Sequence, residues 1–413
     1  MPGSALHPRR PWRERRIVVG VTGGIAAYKA VQLARNLTRL GATVDAILTP
    51  GARRFVQPLS FEGVTGRSAS TELFSTDGAA LHIRIGSEAD VVCVAPATAD
   101  FLARAAHGRA DDLLTTTLLA TRAPVILCPA MNDRMFSHAQ TQNNLSHLRD
   151  ALSYRIAGPD VGPLAFGEGE GPGRMLDPDD IVEEIGRALV GRSALRGKRV
   201  LVTAGPTREP IDPVRYVSNR SSGRMGFALA AAAWRRGAEV TVVTGPVALA
   251  DPYGVEVVRV ESAGEMLKRV SEELPEADVS IFAAAVSDYR VADPSSAKLK
   301  RSETGPEMTL TLTENPDVAG ETRALRKKGS LSVGFALETQ SLMENARSKL
   351  ESKGFDLVVA NDAGEAGAGF DVETNHVILL DREGEIEDVP LASKHEVAET
   401  ILDRVSQLME PSE

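Results

Sequence analysis

The chain has 413 residues, 43% hydrophobic and 25% charged. That length exceeds what one hydrophobic core usually organises, and the composition is that of an ordered globular protein, so two domains are expected and disorder is not the default. A net charge of −9 argues against a dedicated nucleic-acid binder, whose phosphate contacts need a basic surface.

The opening run MPGSALHPRRPWRERR is basic and broken by prolines, with no apolar signal-peptide core behind it. Residues 1–15 are accordingly expected to form a flexible arm. No run approaches the roughly 18 apolar residues of a membrane span. Cys93 and Cys128 lie in the apolar runs VVCVAP and VILCPA, which predicts buried thiols in a reducing compartment and a cytoplasmic, soluble protein.

From Arg16 the pattern RIVVGVTGGIAAYKAVQLARNLTRLGATVDAILT is an apolar strand, a glycine turn, an amphipathic helix ended by Gly41 and a second strand. Further strands are predicted at 90–95 and 124–128, with one helical stretch around 102–120 between them. Strands alternating with helices imply a parallel, doubly wound sheet. The same grammar restarts at Lys198 with KRVLVTAGPT, the helix GFALAAAAWRRGA and the strand EVTVVTGP. Later strands are predicted at 255–260, 278–284, 331–335, 356–360 and 376–380. The helix PDDIVEEIGRALV and a short Gly/Ser connector separate the halves, giving domains at 16–191 and 198–413 joined by 192–197. The predicted class is α/β, with two Rossmann-like domains.

In the first half, Thr22, Gly23, Gly24, Ile25 and Ala26 occupy a strand-to-helix turn. Such a turn lets a phosphate approach backbone N–H groups at the positive end of a helix, although glycines serve ordinary tight turns as well. The surrounding motifs decide between these readings. VTGGIAAYK, His82 in LHIRIGSEAD, APATAD, PAMN and GPGRM together resemble the flavin-dependent cysteine decarboxylases, the family that includes phosphopantothenoylcysteine decarboxylase. The resemblance spans about residues 17–177 and implies a flavodoxin-like domain that binds FMN, with Thr49, Ala97 and Thr98 joining the glycine turn. It also implies an acid/base or orienting role for His82 and a carboxylate-holding role for Asn132. Taken alone, a lone His beside apolar residues is usually structural, and an Asn after a strand usually caps a turn.

One position departs from the family pattern. Decarboxylases of this kind that release a fully reduced aminothiol carry a Cys in a segment like ACGD or ACGE, whereas this chain reads LAFGEGEGPGRM with Phe166 there. Phe has no proton to donate, so Glu168, Glu170 or water substitutes, or the product stays oxidised, or the loop merely clamps substrate.

In the second half, VTAGPTREPIDPVRYVSNRSSGRMGFALA sets glycines and serines between a strand and a helix. The GxGxxG fingerprint and the acidic ribose-binding residue of a dinucleotide site are missing, which disfavours NAD. AGPTREPIDPVRYVSNRSSGRMG, AAAVSDYR, KLKR, ENPDV, VGFALET and DLVVAND resemble phosphopantothenate-cysteine ligase over nearly the whole half. That resemblance implies activation of the 4'-phosphopantothenate carboxylate by CTP and displacement of CMP by L-cysteine. It assigns Asn219 to the acyl-cytidylate and Lys298 to phosphate chemistry. Ala284, Ala285, Asp288, Pro316, Asp317, Val318, Ala319, Phe335, Lys349 and Lys353 fall in the nucleotide site, with Asp288 as a ligand for Mg²⁺ or Mn²⁺. Lys349 and Lys353, four apart on a helix, also fit a solvated face.

The resemblance further implies a homo-oligomer, with trimeric flavin domains and dimeric ligase domains, and no nucleic-acid or membrane partner. The rival readings are a ligase whose flavin half decarboxylates only oxidatively or is structural, and a non-catalytic flavin- and nucleotide-binding module.

Overall fold

The computed structural model describes residues 8–74, 80–167, 169–338, 340–362, 364, 365, 367, 369 and 372–410, with backbone alone at 303 and 304. It divides into two compact units, Met1–Gly191 and Arg192–Glu413.

The first unit runs β1 (Arg16–Val21), α1 (Ala27–Arg39), β2 (Thr43–Leu48), α2 (Pro58–Thr65), α3 (Leu81–Glu88), β3 (Val91–Ala97), α4 (Ala99–Ala106), α5 (Leu113–Ala120), β4 (Val125–Pro129), α6 (Asp133–Ser137), α7 (Ala139–Asp150), β5 (Arg155–Ile156), β6 (Asp160–Pro163), β7 (Glu170–Arg174) and α8 (Pro178–Val190). Among the described residues, five strands form one parallel sheet in the order β2-β1-β3-β4-β5, and β6 and β7 form a separate antiparallel hairpin. That is the flavodoxin-like order, whose switch point lies between β1 and β3. In α1, Ala27, Ala30, Leu33, Ala34 and Leu37 repeat at helical spacing and are buried. On the other face, Leu81 and Ile85 of α3, Phe101 and Leu102 of α4, Leu113 and Leu114 of α5 and Leu148 of α7 pack on Val18, Val92 and Val94 of the sheet.

Two expectations are corrected here. The single helical stretch over 102–120 is two helices, because Gly108 takes φ +63° and Asp112 starts α5 with a capping box to Thr115. The arm expected to be flexible is packed from Pro8 onward. Trp12 is fully buried and its indole N–H donates to the Val182 carbonyl at 3.0 Å, while the Arg9 and Glu14 amides donate to the carbonyls of Leu40 and Gly41. Burying an indole of that size contributes roughly 4–6 kcal/mol before entropy is counted, which outweighs the local polarity that suggested an arm.

The second unit runs β8 (Arg199–Ala204), β9 (Arg208–Pro210), β10 (Tyr216–Ser218), α9 (Arg224–Arg235), β11 (Glu239–Thr244), β12 (Glu256–Arg259), α10 (Ala263–Glu273), β13 (Val279–Phe282), β14 (Tyr289–Val291), α11 (Arg301–Thr304), β15 (Leu312–Glu314), α12 (Val318–Glu321), β16 (Leu331–Glu338), α13 (Leu342–Lys353), β17 (Leu357–Asp362), β18 (Thr374–Asp381), β19 (Ile386–Ser393) and α14 (Lys394–Met409). Its large sheet, eight strands among the described residues, has the order β12-β11-β8-β13-β16-β17-β18-β19. The first six strands are parallel and follow the Rossmann sequence about a switch point between β8 and β13. The last two are antiparallel. The sheet is therefore mixed, and β19 was not foreseen because IEDVPLAS alternates weakly and contains Pro390, a residue tolerated at a sheet edge.

Helices α9 and α14 cover one face of this sheet, and α10 and α13 the other. Buried Glu399 of α14 accepts from Arg235 and Arg236 of α9, tying the two helices together. Leu195, in the segment expected to be a connector, is fully buried in this core beside Val200 and Trp234.

Candidate active sites

In the first unit a cavity of about 1210 Å³ opens at the carboxyl ends of the parallel strands, lined by residues 22–26, 49–51, 98–100 and 130–132, with 163–165 and 173–175 of the hairpin region beside them. Thr22 is buried, and its hydroxyl donates to the Pro96 carbonyl at 2.7 Å while accepting from the Thr98 amide at 3.1 Å, so the loops after β1 and β3 are locked together. An added Cβ at Gly23 would lie 2.8 Å from the Gly51 backbone. Only glycine lets the turn pass that close. No side chain caps the start of α1, and the helix dipole is presented to the cavity.

Thr22, Gly23, Gly24, Ile25, Ala26, Thr49, Thr98 and Asn132 all line this cavity. Asn132 is also the cap of α6, its Oδ1 accepting from the Arg134 amide at 3.0 Å, so the ordinary and the functional readings hold together. Ala97 does not line it; this residue is fully buried in β3, and its carbonyl accepts from the Ala130 amide. Nor does His82. It sits on α3, whose Leu81 and Ile85 turn into the core, and its Nδ1 is buried without a hydrogen-bond partner. Phe166 is fully exposed at the tip of the β6–β7 hairpin, and Glu170, also exposed, opens β7 outside the cavity lining. Glu168 lies outside the described residues.

The sequence reading missed a charged corner of this cavity. Lys29 Nζ is 2.7 Å from Asp177, and Arg174 pairs with the same carboxylate at 2.8 Å. Lys29, with Arg174 behind it, holds the Asp177 carboxyl below its usual range. The lysine of VTGGIAAYK and the arginine of GPGRM were within the quoted motifs, and only the fold shows that they meet. Asp180, in the first turn of α8, is pushed up to about 6 by burial and by neighbouring carboxylates, Asp177 foremost. Cys93 and Cys128 are both buried, their sulfurs 3.9 Å apart on neighbouring strands.

In the second unit a cavity of about 810 Å³ lies at the β8/β13 switch point. Asn219, Ala284, Ala285, Asp288, Pro316, Asp317, Val318, Ala319, Phe335, Lys349 and Lys353 all line it, together with residues 221–226 at the start of α9. An added Cβ at Gly226 would lie 2.6 Å from the Ala204 Cβ, so glycine permits α9 to close on β8. Asn219 Nδ2 donates to the carbonyls of Ala285 (3.3 Å) and Val286 (3.0 Å). Asp317 caps α12 through the Gly320 amide and also pairs with Lys353. Burial lowers the Lys349 pKa, opposed by the charges of Glu338 and Asp288.

Lys298 is not in this lining; it is exposed in the segment between β14 and α11. Polar residues not assigned to the site from sequence also line the cavity, among them Asn361, Asn375 and buried Lys394, whose Nζ donates to the Gly369 carbonyl at 2.9 Å. Asn375 lies on β18, expected as a strand at 376–380 but antiparallel in the sheet, and Lys394 opens α14, which was not foreseen. Among the described residues no group of three or more His, Cys, Asp or Glu could hold a metal, and no helix is long and apolar enough to cross a membrane.

Each of the two doubly wound units has a cavity at its switch point, with a glycine turn against a helix start in its wall. Residues 6–190 match the Flavoprotein family, and residues 195–409 match the DNA/pantothenate metabolism flavoprotein C-terminal domain. Along its length the chain is 43% identical to the coenzyme A biosynthesis bifunctional protein CoaBC of Vibrio cholerae serotype O1, over 96% of this chain and 98% of that one. The chain belongs to this family of bifunctional coenzyme A biosynthesis proteins. Among solved structures, the C-terminal domain of a CoaBC protein is 39% identical, covering 52% of this chain and 98% of its own, with a TM-score of 0.45. The FMN-dependent cysteine decarboxylase SpaF is 35% identical, covering 43% of this chain and 97% of its own, with a TM-score of 0.37.

Proposed function

We propose that this bifunctional decarboxylase and ligase of coenzyme A biosynthesis joins L-cysteine to 4'-phosphopantothenate at the expense of CTP in the second unit. The flavin unit then decarboxylates the product, 4'-phosphopantothenoylcysteine, to 4'-phosphopantetheine. The observation that carries the reading is convergence: Asn219, Asp288, Phe335, Lys349 and Lys353, far apart in sequence, line one cavity in a chain whose relatives are bifunctional.

The first cavity fits FMN. The cradle at Gly23 is kept free of side chains, the start of α1 carries no side-chain cap and turns its positive dipole end to the cavity, and the volume accommodates a flavin nucleotide. When bound, FMN supplies oxidation of the cysteine thiol and so an electron sink beside the carboxylate, from which carbon dioxide leaves. Residues 22–26 would hold its phosphate, and the Thr22 contacts to Pro96 and Thr98 keep the two strand ends in register. Asn132, its Oδ1 engaged with Arg134, presents its NH₂ edge to the substrate carboxylate. His82 remains a candidate for orienting or proton transfer, away from the cavity wall of the isolated unit.

In the ligase, the carboxylate of 4'-phosphopantothenate attacks the α-phosphate of CTP, pyrophosphate leaves, and the cysteine amine displaces CMP. Residues 221–226 and the start of α9 cradle phosphate, and Lys349 and Lys353 neutralise charge that grows as pyrophosphate departs. Asp288 suits Mg²⁺ or Mn²⁺ that arrives with the triphosphate, since Mg²⁺ is commonly held by one or two carboxylates plus substrate phosphates and keeps several waters. Lys298 completes the charge set from its exposed segment. Flavin-unit trimers, ligase-unit dimers and a cytoplasmic location complete the reading.

The test is direct. Purified protein given CTP, 4'-phosphopantothenate and cysteine should release pyrophosphate and then carbon dioxide, and its denatured extract should yield FMN. Absence of pyrophosphate release with all three substrates present would overturn the ligase assignment.

A further inference from the structure

We infer that Asp212 is a positioning residue of the ligase, holding the segment that carries Lys298 against the segment that carries Asn219. The inference deepens the reading above and rests on Lys298 being part of the ligase site.

The Asp212 side chain is completely buried although its neighbours on the turn are exposed. One carboxylate oxygen accepts the amides of Val214 and Arg215, both at 2.8 Å, which closes a turn on itself. The other accepts from the Arg215 guanidinium, at 3.0 Å from Nε, and from the Leu299 amide at 3.1 Å. Arg215 passes the contact on, its Nη2 donating to the Leu299 carbonyl at 2.7 Å. Both backbone groups of Leu299, the residue directly after Lys298, are therefore engaged by one Asp–Arg pair. A second tie lies four residues earlier, where the Ser295 amide donates to the Ile211 carbonyl at 2.9 Å.

The other end of this clasp leads straight into the cavity. Arg215 is followed by β10, which pairs with β9, and then by Asn219, whose amide reaches the Ala285 and Val286 carbonyls. Residues 296–298 are exposed; the Ser295 hydroxyl engages both backbone groups of Ala297 before the lysine, and the clasp at Leu299 restrains the backbone directly after it. The arrangement needs a carboxylate. The Arg215 hydrogen bond keeps Asp212 ionised well below the usual carboxylate range, and four donor groups converge on its two oxygens. An asparagine would turn an NH₂ group toward one set of those donors.

Trypsin reads the clasp without reference to activity, because the Lys298–Leu299 peptide bond contains the amide that Asp212 holds. In the folded wild-type protein, cleavage at this bond, followed by mass spectrometry, should be at least about 10-fold slower than in a free peptide of the same sequence. Cleavage at peptide rates would overturn the clasp even if every variant failed to fold. Asp212→Asn should speed cleavage at that bond, leave flavin content unchanged, and lower kcat for pyrophosphate release by about 10- to 100-fold, with a smaller change in KM for CTP. A double-mutant cycle with Lys298→Gln then decides whether Asp212 acts through the lysine. If it does, adding Asp212→Asn to Lys298→Gln costs less than about 3-fold further; losses that multiply in full would overturn the inference. Wild-type turnover by Lys298→Gln would instead remove Lys298 from the site, an outcome the proteolysis result does not imply.

Discussion

Lys349 Nζ donates to the Phe335 carbonyl at 2.5 Å, placing a largely buried ammonium group in the wall of the second-unit cavity with, among the described residues, a neutral partner in direct contact. Burial lowers its pKa from 10.5, and the more distant Glu338 and Asp288 restore only part of the loss. The unfolded chain therefore binds more protons than the folded one between the lowered value and 10.5, so this group makes the free protein more stable as pH rises through that window. A bound triphosphate reverses the preference and draws a proton back. CTP binding at a pH near the lowered value should accordingly take up protons, measured by calorimetry in buffers of differing ionisation enthalpy. Lys349→Met should abolish the uptake, weaken CTP binding by about 10-fold or more, and leave the free unit at least as stable as wild type. Identical binding enthalpies in all buffers would contradict the buried-lysine account.

Gly23→Ala tests the cradle. The new Cβ would meet the Gly51 backbone at 2.8 Å, so one of two loops must move at the place where a phosphate is to bind. The expected protein is colourless, or loses its flavin on dilution, while pyrophosphate release by the second unit continues at the wild-type rate. Full flavin retention, read from the visible spectrum, would place the phosphate elsewhere.

At Phe166 the structure leaves the side chain wholly exposed at the hairpin tip, next to the 163–165 segment that lines the cavity. Decarboxylation needs no proton donor at this place, whereas reduction of the resulting enethiol does. If Glu168 or Glu170 substitutes, repeated anaerobic turnover yields 4'-phosphopantetheine, and changing the responsible Glu to Gln makes the enethiol accumulate. If neither does, the wild type yields the oxidised product and Phe166→Cys restores the reduced one. Anaerobic mass spectrometry separates the two, and fusion to a ligase with its cavity residues in place favours the first.

Asp180 offers a pH test confined to the first unit. Its carboxyl is raised to about 6 by burial and by the charges of Asp177, Asp179 and Asp160, so the ionised form disfavours the fold. The penalty is fully present above about 6 and disappears as pH falls toward 3.8, because the folded chain then binds the extra proton. Asp180→Asn should therefore raise the melting temperature of the first unit by a few degrees, on the order of 1 kcal/mol, at pH 7.5, with little gain near pH 4. A gain of equal size at both pH values would point to a cause other than titration.

What the sequence by itself determined was local. The strand, glycine turn and helix at Arg16 and again at Lys198 are written in spacings of a few residues, because hydrogen-bonding period and helix-start chemistry are properties of neighbouring residues. Motif residues directly after β1, β3, β8 and β13 were legible for that reason, and most of them line the two cavities. Only the tertiary structure decided the strand orders, the antiparallel edge made by β18 and β19, and the meeting of Lys29 with Asp177 across 148 residues. It also decided that Trp12 is core, that His82 and Lys298 stand outside the cavity walls, and that Asn375 and Lys394 stand within one. The physical reason is that burial and long-range pairing are settled by what the whole chain can pack against a segment. A proline-rich basic run therefore becomes part of the core when a helix face like that of α8 is there to receive its tryptophan.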